Sequence, residues 1–148
     1  MIAVDTNILV YAHREESPFH EIAFRRVAAL AEGTATWAIP WPCVHEFLAI
    51  VTHPRIYAPP TPLPRALDQV DAWLESPTVT LLAEATTHWP TLRALLAAGR
   101  IAGGQVHDGR VAALCRDHGV RALWSADRDF GRFAGITVVN PLVGDVAT

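Results

Sequence analysis

Ile2-Ala3-Val4-Asp5-Thr6-Asn7-Ile8-Leu9-Val10 opens the chain. Three apolar residues closed by an aspartate read as a short buried strand with a carboxylate at its C-terminal end. Thr6 to Ala12 then continues as a turn or the start of a helix. A strand handing over to a helix is half of a βα unit, and the alternation recurs downstream. Trp37-Ala38-Ile39, Val79-Thr80-Leu81-Leu82, Ala122-Leu123-Trp124 and Ile136-Thr137-Val138-Val139 read as further short strands. This order predicts an α/β domain with a mainly parallel sheet. Ligands of such sheets bind beyond the carboxyl ends of the strands, where strand order reverses.

The intervening segments supply the helices. Ser17-Pro18 opens one, with Ser17 as N-cap, Phe19, Ile22, Ala23, Val27 and Leu30 as its apolar face, and Gly33 as its stop. Pro40 and Pro42 punctuate the chain before a helix over about Cys43–Thr52. Residues 54–64 hold five prolines and read as a loop. Leu67, Val70 and Leu74 mark the next helix, and Leu92, Leu95 and Leu96 another that ends near Gly99. The Gly-rich stretch 99–105 is expected to be mobile. A helix from about Val106 to His118 ends at Gly119, expected as a left-handed cap.

Length and composition fit this picture. The 148 residues suit one domain, taken here as residues 1–148, and at 51% hydrophobic they can build a core without staples. No apolar run approaches the roughly 20 residues of a membrane span, and the first residues lack the pattern of a signal peptide. A cytoplasmic protein is the expectation. Cys43 and Cys115 stand outside any metal-ligand spacing and read as buried free thiols. All twelve basic residues are arginine. Without lysine, P-loop phosphate binding, Schiff bases and Ser-Lys dyads are excluded.

Four acids sit among apolar neighbours. Asp5 closes the first strand and Asp127 follows the fourth. Glu46 is read in the first turn of its helix, on the face of Cys43, Ala49 and Ile50. Asp108 opens its helix, on the face of Val111, Ala112 and Cys115. Taken singly, Glu46 and Asp108 complement a helix dipole, worth about 0.3–1 kcal/mol, while Asp5 and Asp127 cap helices. Taken together, four core-facing carboxylates cost free energy unless something positive sits among them. One or two divalent cations held by carboxylates and water resolve that cost, and such a centre suits phosphodiester chemistry. Setting these four aside leaves eleven acids against twelve arginines, so the formal charge of −3 does not exclude an RNA substrate.

These residues resemble the PIN-domain family, and within it the VapC-type toxins. Residues 2–10 are similar to the family's first motif and Glu46 to its second acid. His107-Asp108-Gly109-Arg110-Val111-Ala112-Ala113-Leu114 is similar to the third motif, and Trp124-Ser125-Ala126-Asp127-Arg128-Asp129-Phe130 to the fourth. The resemblance runs from Met1 to about Pro141. It implies a three-layer α/β/α fold around a five-stranded sheet of order 3-2-1-4-5. It also implies a Mg²⁺- or Mn²⁺-dependent endoribonuclease, homodimeric and silenced by a cognate antitoxin. Asp5, Glu46, Asp108 and Asp127 become the metal ligands or orient the nucleophilic water. Thr6, Asn7 and Ser125 offer polar groups beside the site or bond locally within turns. Asp129 is either a fifth ligand or a partner of Arg128, Arg132 or a helix end. Gly109 departs from the alanine more usual there, loosening the helix by about 1 kcal/mol.

Arg14, Arg110, Arg128 and Arg132 lie near the acids in sequence and are the candidates for meeting RNA phosphates. Single-stranded or looped RNA is the expected target, because its bases splay out and stack on aromatic rings. Trp37, Trp41, Trp73, Trp89 and Trp124 supply such rings, most of them read as core or dimer contacts. The seven histidines form no recognisable acid–base pair, and only His107 adjoins a site acid. A haloacid-dehalogenase-like phosphatase is the alternative, but it needs an aspartate where Asn7 stands, and a lysine. A catalytically inactive PIN domain that only binds a partner is the other.

Overall fold

Residues 1–144 are described by a computed structural model. The element order is β1 (Ile2–Val4), α1 (Thr6–His13), α2 (His20–Glu32), β2 (Trp37–Pro40), α3 (Trp41–Val51), α4 (Leu63–Leu74), β3 (Val79–Leu82), α5 (His88–Gly99), α6 (Gln105–Asp117), β4 (Ala122–Trp124), a 3-10 turn (Arg128–Arg132) and β5 (Val138–Val139). The strands form one five-stranded sheet in the order β3-β2-β1-β4-β5, every pairing parallel. This is the order expected above.

Parallel neighbours need crossovers, and right-handed crossovers fix where the helices go. The chain steps from β1 outward to β2 and β3, then returns past β1 to β4 and β5. That reversal assigns α1–α4 to one face of the sheet and α5–α6 to the other. The packing agrees: α1 lies against α2 and α3, α3 against α4, and α5 against α6. Strands covered on both faces should be apolar throughout, not alternating. β1, β2 and β4 are buried at every position, including the bulky Trp37 and Trp124. Phe47 of α3 packs edge-on against Trp73 of α4, with centroids 4.8 Å apart.

Two helix starts differ from the sequence reading for one reason: α3 begins at Trp41 and α4 at Leu63, within the stretch read as a loop. α5, for which the sequence marked only the apolar face, begins at His88. Pro42, Pro64 and Pro90 therefore lie within first turns, where a missing N–H costs nothing. α2 shows the converse. Ser17 Oγ accepts the N–H of Phe19 at 3.1 Å in a turn that precedes the helix, which starts only at His20. The segment after Thr6 is a full helix of eight residues. At the C-terminal ends, Gly33 is extended, and Arg100 rather than Gly99 takes the left-handed conformation, at φ 52°. Gly119 does adopt the expected left-handed cap, at φ 64°.

Gly109 has a packing reason. A Cβ at this position of α6 would stand 2.7 Å from Leu96 Cδ2 of α5. Close helix approach, not looseness, accounts for the glycine. The effect of Gly109→Ala should therefore depend on its neighbour. In a Leu96→Ala background it should stabilise by about 1 kcal/mol through helix propensity. With Leu96 present, displacement of that side chain should cancel the gain. Urea denaturation of the four proteins measures both values.

Candidate acidic site

Asp5 is the first residue beyond β1, flanked by β2 and β4 at the reversal of strand order. Its backbone is extended, and its side chain caps α1. Oδ1 accepts the Thr6 N–H at 2.8 Å and the Cys43 thiol at 3.5 Å. Oδ2 accepts the Ser125 hydroxyl at 2.7 Å and the Asn7 amide at 3.4 Å. A carboxylate has about four lone-pair sites, and here neutral donors approach both of its oxygens. The residue is only 7% exposed. Burial pushes its carboxyl above the ordinary range; bonds from Ser125, Thr6 and Cys43 pull it down, and the charge of Glu46 pushes it up.

Ser125 joins the two central strand ends. Its Oγ donates to Asp5 and accepts from the Asp127 N–H at 3.0 Å and the Asn7 amide at 3.2 Å. Asn7 closes the clasp by accepting the Ala126 N–H at 3.2 Å. Asp127 caps the 3-10 turn by accepting the Asp129 N–H at 2.8 Å. The capping role and the site position of Asp5 and Asp127 thus coexist. The Thr6 hydroxyl is buried and has no partner among the described residues.

The remaining acids come from the helices. Asp108 lies in the first turn of α6, as read, and is half-buried. Its carboxyl is pushed up to about 6, first by burial and then by the charges of Asp127, Asp5, Glu46 and Asp129. The other four acids thus lie within electrostatic reach of Asp108. Glu46 corrects the sequence reading in two respects. With α3 starting at Trp41 it falls in the second turn, and it is exposed, not core-facing. Asp129 is also exposed.

Glu46 and Asp108 share a groove of about 470 Å³, with His45, His107 and Arg110 also on its walls. Arg110 bonds Glu84 through Nε at 2.9 Å and Nη2 at 2.5 Å. Arg128 and Arg132 are exposed on the 3-10 turn, and Arg132 donates to Gln105 Oε1 at 2.8 Å. Arg14 is not brought to the acids. It follows the last residue of α1, and eight residues of helix separate it from Asp5, a rise of roughly 12 Å. There it pairs with Glu16, bonds Thr61 and Pro59, and stacks over Tyr57 at 4.1 Å.

Among the described residues, no ion pair involves Asp5, Glu46, Asp108 or Asp127. Nor do three acid, histidine or cysteine side chains there close on one point as a finished ligand set. The donor chemistry fits a hard divalent cation: carboxylate oxygens that repel one another, one of them deeply buried, with a spare hydroxyl beside it.

A sequence model of the PIN domain matches residues 2–136. The chain belongs to the PIN-domain family. Its relatives place it in the VapC group of that family. Ribonuclease VapC48 of Mycobacterium tuberculosis is 33% identical over 140 residues, spanning 95% of this chain and 97% of that protein. Ribonuclease VapC43 of the same species is 32% identical over 145 residues, 97% of each chain. Solved PIN structures share the fold at lower identity. FitAB bound to a DNA fragment superposes with a TM-score of 0.71 at 17% identity, covering 100% of both chains. Mycobacterium tuberculosis VapC20, a sarcin-ricin-loop-cleaving toxin, gives 0.67 at 17% identity over 93% of this chain and 97% of that one.

Cys43 and His45 were not singled out as site residues in the sequence of this PIN domain. Cys43 was read only as a buried thiol. Its burial is confirmed, but its Sγ touches Asp5, and burial together with the Asp5 charge keeps it protonated as a donor. Its position three residues before Glu46 on one helix was the available signal.

Two outcomes are expected for this PIN domain. Ser125→Ala should cost about 1–3 kcal/mol, because Asp5 Oδ2 and the Asp127 N–H each lose a partner; chemical denaturation measures it. The raised Asp108 carboxyl makes a stability contribution that is fully present below its ordinary 3.8 and lost as pH rises through about 6. In metal-free buffer Asp108→Asn should therefore match the wild type in Tm near pH 4 and exceed it above pH 6. Equal Tm values at both ends would refute the electrostatic account.

Proposed function

We propose that the chain is a metal-dependent endoribonuclease and the toxin of a toxin–antitoxin pair. The observation that carries this reading is the gathering of Asp5, Glu46, Asp108 and Asp127 at the strand-order reversal, with no cation of the protein paired to them. The ribonuclease names of its relatives support the activity. Structural neighbours that are VapBC and FitAB complexes support a cognate antitoxin as partner. A single catalytic domain, a homodimer and action in the cytoplasm belong to the same proposal. Among the described residues no helix is long and apolar enough to cross a membrane.

In this reading Asp5, Glu46, Asp108 and Asp127 hold Mg²⁺ or Mn²⁺. When bound, the ion supplies an activated water as nucleophile and stabilises the departing oxygen. Ser125 and Asn7 fix the direction of the Asp5 carboxylate. Asp127 is aimed by its cap on the 3-10 turn, and Thr6 offers its unpartnered hydroxyl. Asp129 raises the negative potential without joining the four ligands. Arg110, Arg128 and Arg132 flank the acids and meet the RNA backbone. The phosphatase alternative requires a second aspartate where Asn7 instead clasps Ser125 and Ala126.

The test is incubation with mixed cellular RNA in Mg²⁺ or Mn²⁺, in EDTA, and with Asp108→Asn. Cleavage is expected only with metal, and the variant should be slower by roughly two orders of magnitude or more. Asp108→Asn is preferable to Asp5→Ala, since removing Asp5 also strips a helix cap and orphans buried donors. Cleavage that survives EDTA would overturn the metal-centre reading.

A further inference from the structure

The groove shared by Glu46 and Asp108 is walled in part by His45, whose ring neighbours that of Trp41. Of the five tryptophans, Trp37 and Trp124 are fully buried and Trp73 nearly so, while Trp41 is 37% and Trp89 64% exposed. Trp41 is the first residue of α3. Its ring lies 6.2 Å from that of His45, inclined at 31°. His45, Glu46 and Ala49 line the groove on the same helix. Trp41, His45 and Ala49 follow at four-residue spacing, so they form one stripe. That stripe carries two flat rings and ends on a small residue beside the acids. Arg110 stands among the lining residues from α6. Neither Trp41 nor Trp89 lines the groove itself; Trp41 adjoins it through the His45 ring, whereas Trp89 lies on α5.

We infer that Trp41 and His45 form a stacking platform for an unpaired nucleobase flanking the cleaved linkage. The inference rests on the nuclease reading and gives the single-stranded or looped RNA expected there a point of contact. A base in a duplex has both faces occupied and cannot use the platform; a splayed base can. Stacking accepts any base, because each has a π-face. The platform positions the RNA and makes no demand on sequence. A groove of about 470 Å³ is large enough for a nucleotide. The acids beside the platform repel a phosphate until a cation is bound, so the rings supply affinity where the site's own charge opposes it.

The test compares wild type, Trp41→Ala, Trp41→Phe and Trp89→Ala on an unstructured oligoribonucleotide with Mn²⁺. Trp41→Ala should raise KM about tenfold with little change in kcat. Trp41→Phe should recover most of the loss, and Trp89→Ala should behave as wild type. Abasic nucleotides placed one at a time around the cleaved linkage should reproduce the loss at one position. At that position Trp41→Ala should add nothing further. An unchanged KM for Trp41→Ala, or losses that simply multiply at every position, overturns the platform. So does a change of oligomeric state in Trp41→Ala by sedimentation, which would assign the ring to a protein contact. Wild-type turnover in the same assay reports on the nuclease reading separately. Should wild type fail to cleave, fluorescence quenching by the same oligonucleotide in Trp89→Phe decides the platform alone: quenching that Trp41→Phe abolishes supports it, and no quenching refutes it.

Discussion

One carboxylate, buried where the sheet reverses its strand order, sets the terms for everything around it. An isolated charge taken out of water costs several kcal/mol unless its lone pairs are met. Asp5 offsets part of that cost with donors from separate parts of the chain: the first turn of α1, the end of β4 and the start of α3. The parallel pairing of β1 with β4 brings Ser125 to this point. The immediate passage from β2 into α3 brings Cys43. The local architecture is therefore a solvation shell built from protein, and the other acids are arranged over its open side.

Charge is distributed with a similar economy. The arginines nearest the groove are engaged with neighbours, Arg110 with Glu84 and Arg132 with Gln105. None neutralises the acids. Negative potential thus accumulates at Asp108, the carboxyl that feels all the others. Aromatic surface at the start of α3 borders this region and introduces attraction that does not depend on charge.

The strands, the parallel sheet and the two acids at strand ends were legible because a polar residue interrupting a buried apolar run has few explanations. Asp108 was legible from its place in the helical stripe. Helix starts were less so. Pro42 and Pro64 read as breaks, whereas each sits inside a first turn. That shift moved Glu46 out of the first turn and onto an exposed face. Arg14 illustrates the opposite limit: nearness in sequence to Asp5 is undone by the rise of the helix between them. Cys43 shares its helix with Glu46 at a spacing of three, but its contact with Asp5, like the place of His45 on the groove wall, depends on which neighbours α3 meets. Gly109 looked like a weakness of α6, and only the position of Leu96 on another helix explains it.

The double duty of Asp5 bears on how such a protein would decay over generations. A lineage released from selection for its chemistry still has to fold. Replacing Asp5 removes a helix cap and leaves buried donors unmatched, so selection for folding shields this residue whether or not the site is used. Glu46 is exposed and carries no such structural obligation. Inactive descendants should therefore lose Glu46 early and keep Asp5 late. A surviving first aspartate on its own is a poor sign of a working site, and the glutamate on α3 is the more telling one.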